Sequence, residues 1–254
     1  MTASFVPSHY LCRVRDLRRA VADFEQAGFR VVWGGDPERA HNAMIYFEAG
    51  GFIELFDPTA SGVTGVVQKL VARVGAALGQ PLLVRMQNWL VSHGLCDFAL
   101  ETDQPFAPAR DALAASGVVL GKSRDFSRRR ADGVTTRWQL CTAASPQLPF
   151  LMGPYDPPPV IGADDLAHPN GLRRLLGLRL CTPRPGDYVA ELARLVGGPP
   201  TTSAAGEERL AVGDFEFQIE RGETHAILAL LVDAPAPVEA ELHGLRLIHA
   251  SAAG

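Results

Sequence analysis

The chain has 254 residues, with 24 Lys plus Arg against 28 Asp plus Glu and a formal net charge of −4. Hydrophobic residues make up 47% and charged residues 20%, which is the balance of a globular chain with enough apolar surface to offset its chain entropy. The acidic excess argues against a nucleic-acid binder. The charged first twenty residues and the lack of an apolar run of ~18 residues argue against a secretory leader or a membrane span.

A cytoplasmic protein of one or two domains is therefore expected. The four cysteines, Cys12, Cys96, Cys141 and Cys181, are scattered and form no CxxC pair. They read as small buried hydrophobes rather than as zinc ligands or disulfides.

In chain order, one rhythm recurs. An apolar run from His9 to Val14 is followed by Asp16, placed to cap a helix carrying Leu17, Val21 and Phe24 on one face. Gly28 ends that helix, and the runs FRVVW, NAMIYF and GFIELF follow as strands. Residues 62–80 place Val66, Val67, Leu70, Val71 and Val74 on one stripe, which predicts an inserted helix.

The second copy is CDFALET, Asp103, a helix through Leu113, Gly117, VVL, TTRWQLC and LPFLM. Ser127-Arg128-Arg129-Arg130 reads as a solvated hairpin loop or as an anion-steering lip. The Pro-rich stretch 153–162 marks a boundary. The third copy is LRLCT, Asp187, a helix with Tyr188, Leu192 and Leu195, Gly197, ERLAV and FEFQIE. The fourth is AILALLV, Asp233, a helix with Val238 and Leu242, Gly244 and LRLI.

Each unit is thus β-α-β-β-β, the fourth shortened to βαβ. The fold class is α+β, built of paired βαβββ repeats with mixed sheets. Residues 1–158 form one unit pair, and residues 164–254 form a second, shortened pair.

The segments SHYLCRVRDL, FEQAGFRVVWGG, HNAMIYF and GGFIELF, with SHGLCDFALETD and HPNGLRRLLGLRL further on, resemble the glyoxalase-like branch of the vicinal oxygen chelate superfamily. The resemblance implies a half-barrel cleft, formed within one chain or across a homodimer. It also implies a divalent metal (Zn, Fe, Mn, Ni or Co) held by the first and fourth strands of each unit. In the first unit those positions fall on His9 and Glu54. In the second they fall on Cys96 and on Met152 or Gly153, so the ligand set is incomplete.

Alternation sends Ile53 and Leu55 to one face and Glu54 to the other, where a buried carboxylate needs a metal, a proton or a partner. His9 and Glu54 are the candidate catalytic and metal-binding residues. Trp138, Arg137, His168 and Asn42 are the candidate ligand contacts: Trp138 as an aromatic wall, Arg137 as an anion partner, and His168 held by the His-Pro-Asn-Gly turn. His41 and His93 are further histidines near strand starts. Gln218 and Glu220 lie near the fourth-strand position of the third unit, with nothing obvious on its first strand, so no second metal site is expected.

Gly34-Gly35 and Gly50-Gly51 lack a phosphate-loop pattern, and no GxSxG elbow is present. Two functions stay open: a metal-dependent lyase, isomerase or dioxygenase-like enzyme acting on a small oxygen-bearing metabolite, or a non-catalytic sequestration protein of the bleomycin-resistance type.

Overall fold

The computed structural model describes residues 5–58, 81–130, 132–235 and 239–250. The helix expected at 62–80 lies outside the described residues.

Fifteen strands and five helices are described. The first half contains β1 (Val6–Arg13), α1 (Leu17–Gln26), β2 (Val32–Trp33), β3 (Asn42–Tyr46), β4 (Phe52–Phe56), α2 (Pro81–Val91), β5 (Gly94–Glu101), α3 (Phe106–Ala115), β6 (Arg124–Arg129), β7 (Thr135–Thr142) and β8 (Phe150–Met152). Then come α4 (Ala163–Leu166), β9 (Arg174–Thr182), α5 (Pro185–Val196), β10 (Thr201–Thr202), β11 (Glu208–Val212), β12 (Phe215–Arg221), β13 (Ala226–Asp233), β14 (Glu239–Leu242) and β15 (Leu245–His249).

The strands form an eight-stranded sheet in the order β2-β3-β4-β1-β5-β8-β7-β6 and a seven-stranded sheet in the order β10-β11-β12-β9-β13-β15-β14. In each sheet two first strands meet antiparallel at the centre, β1 with β5 and β9 with β13. Each also runs parallel to its own unit's last strand.

Alternation along β1 and β4 sends Tyr10, Cys12, Ile53 and Leu55 into the common core, all fully buried. On that face Tyr10 stacks on Phe215 and Phe98 packs on Phe217, joining the two sheets. His9, Leu11 and Glu54 line a cleft on the opposite face. Among the described residues no helix is long and apolar enough to cross a membrane.

Several sequence expectations are corrected. Asp16 does accept from Arg19 N and caps α1. Asp103 caps nothing, because Pro105 sits at the cap of α3 without a side-chain bond. Asp187 lies inside α5, whose first residue is Pro185. Asp233 pairs with Arg174 instead.

The fourth unit holds no helix over Glu239–Leu242. That segment is a strand, joined to β15 by His243-Gly244. Both turn residues have positive φ, 52° and 77°, as a two-residue primed hairpin requires. The polar run Arg124–Arg129 is not a loop but an edge strand paired with β7.

Candidate functional site

The centre of the first sheet carries two bulges. Pro7 pairs with Leu100 and His9 with Ala99, leaving Ser8 extra; Leu11 pairs with Asp97 and Cys12 with Leu95, leaving Cys96 extra. A bulge re-aims the side chain beside it. The pseudo-two-fold of the sheet therefore equates Ser8 with Cys96 and His9 with Asp97.

Two residues further along, Leu11 is level with Glu54 and Ala99 is level with Phe150. The second-unit positions are therefore Asp97 and Phe150, not Cys96 and Met152 or Gly153. The Asp16–Asp103 alignment slips because the two helices are capped differently. Cys96 is also unsuited as a thiolate, since burial pushes its thiol up to about 12.

The same bulges recur in the second sheet at Leu176 and Leu228. There they equate Gly177 and Gln218, then Ala229 and Ile248, with His9 and Glu54. Glu216 and Glu220, which flank Gln218, are engaged by Arg209 and Arg179, and Gln218 itself donates to Glu216.

His9 is buried, stacked on Phe52 at 4.8 Å and edge-on to Phe150 at 5.4 Å. Its Nδ1 lies 3.3 Å from Ser8 Oγ, and Ser8 donates its hydroxyl proton to Glu101 Oε2 at 2.8 Å. That chain assigns the Nδ1–H tautomer and leaves Nε2 as a bare lone pair. Burial lowers the His9 pKa, with the charges of Glu54 and Asp97 pulling it partly back, so the ring is neutral at pH 7.

Glu54 Oε2 lies 3.9 Å from His9 Nε2, beyond hydrogen-bond range. Asn42 Nδ2 donates to the other oxygen, Oε1, at 2.6 Å. A Cβ on Gly34 would lie 1.9 Å from Asn42 Oδ1, so glycine there makes room for Asn42.

These polar groups line a cleft of about 530 Å³ whose walls are mostly apolar. Trp138 stacks on Phe126 at 5.9 Å and meets Tyr155 edge-on at 5.2 Å. Leu82, Met86 and Trp89 of α2 form one wall. Arg85, on the same helix, is fully buried and gives Nη1 to both oxygens of Asp97 at 2.6 Å. Its Nη2 reaches the carbonyls of Pro146 and Leu148. Asp97 also accepts from Trp89 Nε1 at 2.6 Å and Phe98 N at 2.8 Å.

The cleft thus brings together His9, Glu54, Asn42 and Trp138, with His41 at its lining. Two expected contacts are not part of it. Arg137 points to the opposite face from Trp138 and is exposed, its backbone paired with Asp156. The ring of His168 accepts from Arg30 N at Nδ1 and bonds the Tyr46 carbonyl at Nε2. Both nitrogens of His168 are committed to tying its turn to the segment after α1 and to β3. His93 lies among Arg13, Arg15 and His243.

Sequence reasoning missed α2, Asp97, Tyr155 and Pro159. The spacing of Leu82, Met86 and Trp89 at i, i+4 and i+7 was the available signal for α2. The Pro-rich stretch read as a boundary is in part a cleft wall.

A metal on this fold would draw on first- and fourth-strand side chains of both halves. His9 Nε2 and Glu54 Oε2 are spaced as two ligands of one ion can be. In the other half the Asp97 oxygens are taken by a guanidinium and an indole, and Phe150 stands opposite Glu54. Among the described residues no group of three or more His, Cys, Asp or Glu converges. The residues do not fit a four-ligand protein centre.

Paired βαβββ units, curled so that first- and fourth-strand side chains meet in one cleft, define a protein of the vicinal oxygen chelate superfamily. The family model for the Glyoxalase-like domain matches residues 8–196, and the chain belongs to that family. A search of curated proteins returns no match.

Among solved structures the chain is similar to a hypothetical protein from Staphylococcus aureus, at 13% identity and TM-score 0.71, covering 97% of this chain and 99% of that one. It is similar to the Mn(II)-bound glyoxalase from Novosphingobium aromaticivorans, at 12% identity and TM-score 0.53, covering 93% and 67%. A xylose isomerase-like TIM barrel/4-hydroxyphenylpyruvate dioxygenase fusion protein matches at 14% identity and TM-score 0.55, covering 92% and 38%.

Proposed function

We propose that this protein is a proton-transfer enzyme acting on a small apolar molecule that carries neighbouring carbonyl and hydroxyl oxygens. One observation carries the reading. Two proton acceptors, Glu54 Oε2 and neutral His9 Nε2, lie 3.9 Å apart in the lining of a cleft whose walls are mostly apolar.

Glu54 takes the proton from the hydroxyl-bearing carbon next to the carbonyl, and Asn42 holds its carboxylate still. His9 Nε2 takes the hydroxyl proton, its ring oriented through Ser8 and Glu101. Return of the two protons to the exchanged positions isomerises the molecule. The aromatic walls exclude water and hold the apolar body.

The rival reading, sequestration without chemistry, draws support from the engaged Asp97 and from Phe150, which leave one half of the cleft floor without reactive groups.

The test is exchange of the CH2 protons of α-hydroxyacetophenone in D2O, followed by NMR. The protein should accelerate exchange with or without EDTA. Glu54→Gln should lower the rate by about 10²–10⁴-fold while the fold stays intact. Exchange that Glu54→Gln leaves unchanged, or no acceleration at all, sinks the reading. Exchange abolished by EDTA and restored by a divalent ion would return the metal to the mechanism.

A further inference from the structure

The cleft contains a cation that no described residue neutralises. Arg128 lies on the edge strand β6, where alternation directs Phe126, Arg128 and Arg130 toward the cavity. Arg130 is engaged by Asp132 and the Pro158 carbonyl. Among the described residues no carboxylate comes within ion-pairing distance of Arg128. Its Nε is buried and has no hydrogen-bond partner.

A guanidinium beside Trp138, Tyr155 and Phe126 is partly desolvated and unpaired, an arrangement that costs free energy until an anion fills it. Glu54 does not fill it. The sheet curls so that β6, at one edge, faces β4 from the other half, and both residues line one cavity. Tyr46 senses both: burial pushes its hydroxyl up to about 12, with Arg128 pulling down and Glu54 pushing up.

We infer that the ligand is an anion, with a carboxylate or phosphate group at the end of its apolar body remote from the reacting carbon, and that Arg128 is the residue that selects it. This rests on the proton-transfer reading for the orientation of the ligand, but not for the existence of the anion subsite. A planar guanidinium offers two parallel N–H donors to such a group. An aromatic body between the two ends suits a cavity of about 530 Å³ walled by Trp138, Phe126 and Tyr155.

The probes are 4-(hydroxyacetyl)benzoate and its neutral isostere 4-(hydroxyacetyl)benzamide, with binding measured by calorimetry and exchange by NMR. The parent should bind the benzoate at least tenfold tighter than the benzamide. Arg128→Gln should erase that difference while leaving benzamide affinity and the melting temperature unchanged. Arg129→Gln, on the outer face of the same strand, should leave it intact.

Equal affinities in the parent, a preference that survives Arg128→Gln, or no binding of either probe overturns the inference. Arg128-dependent preference without exchange keeps the anion subsite and removes the enzyme. Exchange of both probes at equal affinity does the reverse.

Discussion

The buried Arg85–Asp97 pair offers the sharpest test of how this cleft is held open. Arg85 is 1% exposed and spends its Nη donors on both Asp97 oxygens and two loop carbonyls. Replacing it with Met keeps the volume but leaves a buried carboxylate with only Trp89 Nε1 and Phe98 N as donors. Breaking one partner of such a pair costs about 3–5 kcal/mol. For a chain of this size that is on the order of 6–20 °C in melting temperature.

The double variant Arg85→Met/Asp97→Leu removes the stranded charge and should recover more than half of the loss. The remainder, about 1–2 kcal/mol, is the orphaned N–H groups of Trp89 and Phe98. Urea unfolding of the four proteins closes the cycle. The single loss should also persist at high salt, because the pair is shielded from solvent. A single-variant cost under ~1 kcal/mol, or strictly additive effects, would refute the claim that this pair anchors α2 as a cleft wall.

Acidification should destabilise the protein. His9, His168 and His225 all have pKa values lowered by burial, so the folded state resists protons that the unfolded chain accepts below about pH 6.5. Their stabilising contribution is complete above that pH and is lost as pH falls through the lowered values. Glu101, raised by burial, pulls the other way, one carboxyl against three imidazoles. The melting temperature should fall from pH 7.5 to 5.5, and His168→Gln should flatten the slope; a flat parent profile contradicts this. Gly51→Ala should cost more than ~2 kcal/mol, since φ is +93° and the new Cβ would lie 1.8 Å from the Ser8 carbonyl at the bulge that aims His9. Gly35→Ala, in open space, should stay within about 0.5 kcal/mol by the same unfolding assay.

Period-two and period-3.6 patterns made most elements legible, because each strand or helix buries one face against the shared core. Asp16, Gly28, Gly117 and Gly197 punctuate the helices as local physics requires. What stayed hidden depends on pairing across the chain. A bulge is a mismatch between two strands, so neither strand alone reveals Ser8 or Cys96 as the extra residue. The register slip from Asp97 to Cys96 has a different source: Asp103, aligned with the capping Asp16, is not itself a cap. His9 and Glu54 were found through the family resemblance, and Glu54 stands out in itself as a carboxylate on an apolar strand. Asn42 was expected as a ligand contact, but its bond to Glu54 needed the β3–β4 pairing, and the place of Arg128 needed the curl that brings an edge strand over the cleft. His168 misled because a rigid turn fixes a ring equally well for binding or for tying backbone together.

The repeat also explains why the site is lopsided. The bulges create four equivalent positions in two sheets, each aimed by backbone geometry before any side chain is chosen. Only the first holds His9 with Glu54. The third and fourth hold Gly177 with Gln218 and Ala229 with Ile248, flanked in the third by satisfied charge networks. The second retains a carboxylate, Asp97, but the protein supplies its own cation from α2. A guanidinium at that position is fixed by the polypeptide, whereas an ion would have to be recruited and its ligands desolvated together. The cost is one reactive half-site instead of two, and the gain is a helix held across the cleft by the same bond that satisfies the carboxylate.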